Sequence, residues 1–402
     1  MSASRFIVWI VWLLASIFYA YQYILRVMPN IMYDDIMNQF QIDATIFGQL
    51  SGIYYITYAL VHLPIGIMLD RFGPKRVMPI CILLMVIGLL PILFAENWIY
   101  PLIGRALMGV GSSAAAICLF KIIRMIFAEK HFSRMLSFSV TIGLIGAIYA
   151  GGPLSDLCAL MGYQKVVGIF AIMGVALAVV TYLIMPYIEK TSRASIVSDI
   201  KEVLSQPKVI FLSLFAGLMV GPLEGFADAW GTQFLKEVYS YDDAIASTLP
   251  SRIFMGMCFG GPILSLIAEK TGQYMMTLIV AGFVMAIGFI ALLSGEMSPL
   301  IMNIVFILIG ICCAYQILAL YKASTYVREE IVGLTTAISN MIIMSFGYFF
   351  HTIIGYIIDF MDDVDAAEAF SYGISIIPIA LSVGVGGFLY IAFRERMKAK
   401  RV

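Results

Sequence analysis

Charge is what this sequence has least of. Of its 402 residues only 12% are Asp, Glu, Lys or Arg, about half the share of an ordinary soluble domain. So few charges cannot cover a water-facing surface of this size. The formal net charge is +0, so no basic field directs the chain to nucleic acid. Histidine is scarce as well, with only His62, His131 and His351. There is no G-x-x-x-x-G-K-[ST] loop, which argues against an ATP-driven pump within this chain. There is also no G-x-S-x-G, H-E-x-x-H or C-x-x-C pattern, so the common hydrolase and zinc chemistries lack their residues. The six cysteines (Cys81, Cys118, Cys158, Cys258, Cys312 and Cys313) all lie in apolar runs. They read as small packing residues rather than a disulfide framework or a metal site. The expectation is a protein with no cofactor and no covalent catalysis.

What is present is apolar length. Hydrophobic residues make up 61% of the chain, and the mean hydropathy is +0.96. A spanning helix needs about 20 mostly apolar residues. Such runs fall near 6–36, 44–69, 76–95, 99–127, 133–160, 164–187, 208–236, 245–268, 274–293, 299–327, 331–360 and 372–394. The first is too long for a signal h-region and has no small-residue cleavage site after it, so it reads as a spanning helix. The expected class is an all-α integral membrane protein of twelve transmembrane helices in a lipid bilayer. One long polar segment, 189–207, carries Lys190, Arg193, Asp199, Lys201 and Glu202. It divides the chain into an N-terminal six-helix bundle at 1–188 and a C-terminal one at 208–402.

The Lys/Arg bias sets the orientation. One side holds Arg71, Lys75, Arg76, Lys121, Arg124, Lys130, Arg134, Lys270, Lys322 and Arg328, the linker cations and both termini; the other has Lys165 and Lys236 among acids such as Asp34 and Asp35. Both termini are expected in the cytoplasm. The halves also repeat at an offset of about 200 residues. Asp70-Arg71-Phe72-Gly73 matches Glu269-Lys270-Thr271-Gly272, Leu119-Phe120-Lys121 matches Leu320-Tyr321-Lys322, and Gly109 matches Gly310. Two six-helix repeats of parallel topology place a solute site at their interface, near the bilayer midplane.

The loop after the second span reads Gly66-Ile67-Met68-Leu69-Asp70-Arg71-Phe72-Gly73-Pro74-Lys75-Arg76. It resembles the signature loop of the major facilitator superfamily. Arg105-Ala106-Leu107-Met108-Gly109-Val110-Gly111 in the fourth span is similar to that family's R-x-x-x-G-x-G element. Gly143, Gly146, Gly151, Gly152 and Pro153 in the fifth partly resemble the glycine–proline element of its drug antiporters, although small residues at helix crossings are common in any bundle. The resemblance implies the major facilitator fold, with two pseudo-symmetric halves, alternating access and a monomer. It also gives Gly66, Asp70, Arg71, Gly73, Lys75 and Arg76 a gating role. Within the family, Tyr19-Ala20-Tyr21-Gln22-Tyr23-Ile24-Leu25-Arg26-Val27-Met28-Pro29 resembles the first helix of the phagosomal nutrient transporters of intracellular bacterial pathogens, which take up amino acids. That resemblance implies a bacterial inner-membrane location.

Ionisable residues inside spans are functional candidates by default. Arg26 lies in the first span, Glu224 and Asp228 in the seventh, Arg105 in the fourth and Arg252 in the eighth. The repeat offset maps Arg26 onto position 226, flanked by the two acids, which are four residues apart and so share one helical face. Arg26 is thus expected to face Glu224 and Asp228 across the central site, with Arg252 a further partner for them. Interdomain salt bridges closing an outer gate are the competing structural role. A guanidinium that grips a carboxylate and an acid that binds an ammonium suit a zwitterion. Tyr19, Tyr23, Tyr54, Tyr55, Tyr58, Trp230 and Gln316 are expected to line the cavity. Glu224, Asp228, Arg105 and Arg252 are the candidates for coupling transport to protons, and His62 and His351 are candidate relays. Three functions fit: proton-coupled uptake of a small polar solute such as an amino acid, export of drugs or hydrophobic metabolites, or a non-transporting receptor.

Overall fold

The structure is a computed structural model that describes residues 5–186, 196–295, 297–361 and 363–399. Lys190 and Arg193 of the linker lie outside the described residues. Among the described residues eleven helices are long and apolar enough to cross a membrane: Phe6–Ile31, Ala44–Phe72, Pro74–Phe94, Ile99–Ile126, Tyr163–Ile184, Pro207–Tyr239, Asp243–Thr271, Tyr274–Leu292, Pro299–Ser324, Glu329–Phe360 and Ala366–Met397. Between the fourth and fifth of these lies a bent pair, Arg134–Tyr149 and Gly152–Met161, turned by 43°. Counted as one span, it makes twelve, and the spans are numbered one to twelve in chain order below. The bend falls at Ala150-Gly151, where Pro153 cannot donate to the preceding turn.

Three boundaries differ from the sequence expectation. Span one closes at Ile31, two residues after Pro29, and the chain continues as a separate helix, Tyr33–Phe40. Span ten is interrupted at Ala314, between Pro299–Cys313 and Tyr315–Ser324. Span seven is a π-helix from Gly221 to Trp230, set between α-helical Pro207–Gly217 and Gly231–Tyr239. Gly221-Pro222 and Gly225 supply the local freedom for that wider helix, a form found frequently at functional sites.

Close helix crossings rest on glycine, and they repeat between the halves. A Cβ on Gly109 of span four would come within 3.0 Å of the Tyr54 carbonyl carbon of span two; one on Gly310 of span ten would come within 2.8 Å of the Ile253 carbonyl carbon of span eight. These pairs are equivalent under the sequence repeat. After the linker, helix Ile196–Leu204 is held to the loop before span eleven, where Arg328 Nη2 donates to Asp199 at 2.7 Å and Nε to Glu202 at 3.0 Å.

The bundle has two ends, one carrying the termini and the other, the far end, carrying the loops after spans one, three, five, seven, nine and eleven. Spans two and eleven approach closely toward the far end. A Cβ on Gly52 would meet His351 Cβ at 2.9 Å, and one on Gly355 would meet the Ala44 carbonyl carbon at 2.9 Å. Near the termini, Gly66 of span two and Gly333 of span eleven have open space around them. The far end is therefore closed between the halves, and spans two and eleven are less tightly packed at these glycines near the termini.

Candidate functional site

The centre of the closed interface is a cluster of charge. Arg26 Nε donates to Asp228 Oδ2 at 2.6 Å, and Arg26 Nη2 is hydrogen-bonded to Glu224 Oε2. Tyr55 from span two donates to Glu224 Oε2 at 2.8 Å and also bonds Asp228 Oδ2. Gln316 Nε2 lies 3.5 Å from Glu224 Oε1, and His351 Nε2 is 2.5 Å from the Glu224 carbonyl oxygen. Arg26, Glu224 and Asp228 are 6%, 1% and 1% exposed, so all three are removed from bulk water. Two carboxylates facing one guanidinium leave a formal charge of −1. Buried ions of this kind need their remaining hydrogen bonds to offset desolvation, yet Asp228 Oδ1 has no partner among the described residues. The Arg26 guanidinium also lies over the Tyr23 and Tyr55 rings, 5.1 and 5.2 Å from their centroids.

Toward the termini a column of aromatic side chains leads away from the charges. Tyr54 stacks on Tyr58 at 6.2 Å, the Tyr58 and His62 rings meet at a tilt 5.3 Å apart, and Tyr19 meets Tyr23 edge-on at 5.2 Å. Tyr54 donates to Gln22 Oε1 at 2.9 Å, a partner the sequence reading did not single out. Tyr19, Tyr58 and Gln316 are half-buried.

Two candidates sit elsewhere than expected. Trp230 does not line a cavity. It is fully buried among Tyr33, Phe47 and Phe370, and its Nε1 donates to the His351 carbonyl oxygen at 3.3 Å. Tyr33 and Phe47 come from the first half, Trp230 and Phe370 from the second, so the cluster plugs the far end. The wider π-helical turn carries Trp230 into that plug. Arg252 does not pair with either acid: it stands in the first turn of helix Ser251–Thr271 with Nη1 3.6 Å from Met255 Sδ and Nε unpartnered. Arg26 and Tyr55 already occupy the inward carboxylate oxygens. Arg105 binds backbone rather than acid, donating to the carbonyl oxygens of Leu25 at 2.7 Å and Arg26 at 3.0 Å. It thereby fixes the segment that presents Arg26.

The far end carries further contacts between the halves. Asn30 donates to the Ala227 carbonyl oxygen at 3.0 Å and accepts from the Thr232 N–H at 3.2 Å. Lys236 reaches Asp34 across the halves at 2.9 Å and also pairs with Asp243 of its own half at 2.7 Å. Beside Asp34, partial desolvation pushes the surface-lying Asp35 carboxyl above the usual range, and the Asp34 charge adds to that. At the opposite end Asp70 of the signature loop is held within its own half. Asp70 accepts from Lys121 Nζ at 2.7 Å, and Lys121 also donates to the Leu69 carbonyl oxygen at 3.0 Å. Arg71 lies over Phe72 at 5.4 Å and Lys75 over Tyr182 at 5.7 Å. Gly73 adopts φ 75°, which favours glycine and turns the chain into span three, where Arg76 occupies the first turn.

Comparison with known proteins gives a consistent picture. A model of the Major Facilitator Superfamily matches residues 11–352. A probable L-galactonate transporter of Escherichia coli K12 is 24% identical over 37% of this chain and 33% of its own length. The nitrite extrusion protein of Bacillus subtilis 168 is 22% identical over 49% of each chain. The chain thus spans between a third and a half of the length of these curated relatives. Among solved structures, an unoccupied, inward-facing bacterial homologue of the human lysosomal transporter Spinster superposes with TM-score 0.76, at 16% identity over 98% of this chain and 99% of the other. A nucleoside transporter superposes with TM-score 0.75, at 15% identity over 94% and 99%.

Proposed function

Because the chain belongs to the Major Facilitator Superfamily, we propose that it is a secondary transporter that takes up a small carboxylate-bearing solute by alternating access, with an amino acid as the leading candidate. The observation that carries this reading is the buried Arg26–Glu224–Asp228 cluster, made from both halves at once. In the far-closed state Arg26 is held by the chain's own acids. A solute carboxylate competes for the same guanidinium, which offers two parallel donors. When it wins, Glu224 or Asp228 is released to bind the solute ammonium or a proton. Protonating one acid lowers its claim on Arg26, so proton and solute favour the same rearrangement and are coupled. Tyr19, Tyr23, Tyr54, Tyr58 and Gln316 form the polar-edged walls of the path. Both termini face the cytoplasm of a bacterial inner membrane, and the Asp70–Arg76 loop latches that side when it closes.

The relatives named for L-galactonate and nitrite favour a second reading, in which the solute is an anion without an ammonium. Arg26 serves both readings; the acids separate them. The test is uptake of a labelled amino-acid mixture, and separately of labelled sugar acids, into proteoliposomes with and without an inward proton gradient. Gradient-driven accumulation of an amino acid, abolished in Arg26→Lys, is the expected result, because a lysine cannot reproduce the bidentate grip. Accumulation of sugar acids alone would move the assignment to the second reading. Uptake that ignores the gradient would remove the proton from the cycle.

A further inference from the structure

Span eleven carries a polar group that reaches across to the first half, one that the charge cluster does not involve. The Asp359 carboxylate accepts from the Ala44 N–H at 3.1 Å through Oδ1 and from the Thr45 N–H at 2.5 Å through Oδ2. These are free N–H groups of the first turn of span two, where a carboxylate is favoured by both hydrogen bonding and the helix dipole. Span two has its own cap as well, Asp43, which accepts from the Ile46 N–H at 2.7 Å. Asp359 is therefore not needed to start the helix. Gly355, one turn earlier on the same face, permits the approach: a Cβ there would lie 2.9 Å from the Ala44 carbonyl carbon and 3.1 Å from Trp230 Cζ2.

We propose that Asp359 is the far-end latch of the transport cycle, a positioning residue whose bond to span two forms only when the far end is closed and is exchanged for water each time that end opens. The inference rests on the alternating-access reading above. Asp70 is its counterpart at the other end, held within its own half by Lys121 while Asp359 reaches across. In a two-state cycle the two carboxylates are engaged in opposite phases, so weakening one biases the resting population toward the other opening.

The test reads conformation without needing the solute. Thr232 is 5% exposed, and its backbone is held by Asn30 within the closed far end. Thr232→Cys is introduced with the native cysteines retained, and the protein is placed in nanodiscs so that a water-soluble maleimide reaches both faces. Modification at position 232 and at Cys118, which is fully buried in the first half, is followed by peptide mass spectrometry. Asp359→Asn is expected to raise the rate at 232 roughly tenfold, the range of a charge-assisted bond at a helix start, with Cys118 still protected. Asp359→Glu, which keeps the charge, should restore most of the protection. An unchanged rate at 232 overturns the proposal. A parallel rise at Cys118 also overturns it, since that reports general loosening. Failure of transport with the labelling difference intact would reject the solute assignment and leave the latch standing.

Discussion

Removing the guanidinium from the central cluster should cost far more stability than neutralising all three charges together. In Arg26→Gln, Glu224 and Asp228 keep their contacts to Tyr55 and Gln316 but lose their only charge partner in the described structure. Both acids are about 99% buried, so water cannot replace the lost donors without opening the far end. Breaking a buried pair by deleting one partner costs about 3–5 kcal/mol, mostly as the penalty of the charge left behind. In the triple variant Arg26→Gln, Glu224→Gln, Asp228→Asn no buried charge remains, and the amides can bond one another and Tyr55. Its stability should return to within about 1–2 kcal/mol of wild type, while transport stays absent because the anchor is gone. Denaturant titration of purified protein in mixed micelles measures both values, and proteoliposome uptake measures the third. If Arg26→Gln matched wild type, the acids would have to be solvated or already neutral, and the ion-cluster account would fail. If the triple variant were as unstable as the single one, the cost would lie in packing around the π-helix rather than in charge.

Asp70→Asn should leave expression intact and slow turnover at least tenfold, because the loop loses its charged latch; unchanged turnover in that variant would remove the loop from the gating account. Gly48→Leu should lower the thermal unfolding midpoint and abolish closure of the far end, since even a Cβ there would come within 3.1 Å of the His351 carbonyl carbon, and overpacking of this kind costs roughly 1–3 kcal/mol or more. A wild-type midpoint would show that spans two and eleven can part at no cost. For Asp35, whose carboxyl sits above its ordinary value of 3.8 through partial desolvation and the neighbouring Asp34 charge, the folded state disfavours the ionised form, so its contribution to stability is present at low pH and is lost as pH rises through the folded value. Asp35→Asn is therefore expected to raise the unfolding midpoint modestly at pH 7 and to leave it unchanged near pH 3.5; a gain at both would point to a cause other than ionisation.

The spans were legible because hydropathy over about 20 residues is set by the bilayer rather than by neighbours. The meeting of Arg26 with Glu224 and Asp228 was legible too, from the repeat offset. It survives although span seven is π-helical there, because residues four apart stay neighbours in either helix. The π-helix itself was not legible: an i→i+5 bond leaves no mark in the apolar pattern, and Gly221, Pro222 and Gly225 mark only a loosened backbone. Trp230 was therefore assigned to the cavity although it plugs the far end. Asn30, Gln22 and Asp359 were missed for another reason. Each acts through a partner in another span, and the axial register between spans follows from glycine contacts such as Gly355 on Ala44, which sequence spacing alone does not specify.

One face of span eleven ties these features together. Gly347, His351, Gly355 and Asp359 recur every four residues, so they form a single stripe along the helix. A Cβ on Gly347 would lie 2.5 Å from the Tyr55 ring, His351 reaches the Glu224 carbonyl and accepts from Trp230 through its own carbonyl, and Asp359 caps span two. The proposed solute anchor, the aromatic plug and the proposed latch therefore all adjoin one rigid element packed on span two. The two glycines remove the side chains that would hold the helices apart, and Asp359 supplies bonds to span two that exist only when they are together. A solute that pulls Arg26 away from Glu224 and Asp228 also disturbs the turn to which His351 and Trp230 are bonded, so its binding bears directly on the stripe that keeps the far end shut. No relay through distant parts of the bundle is required to connect occupancy of the centre with closure of the far end.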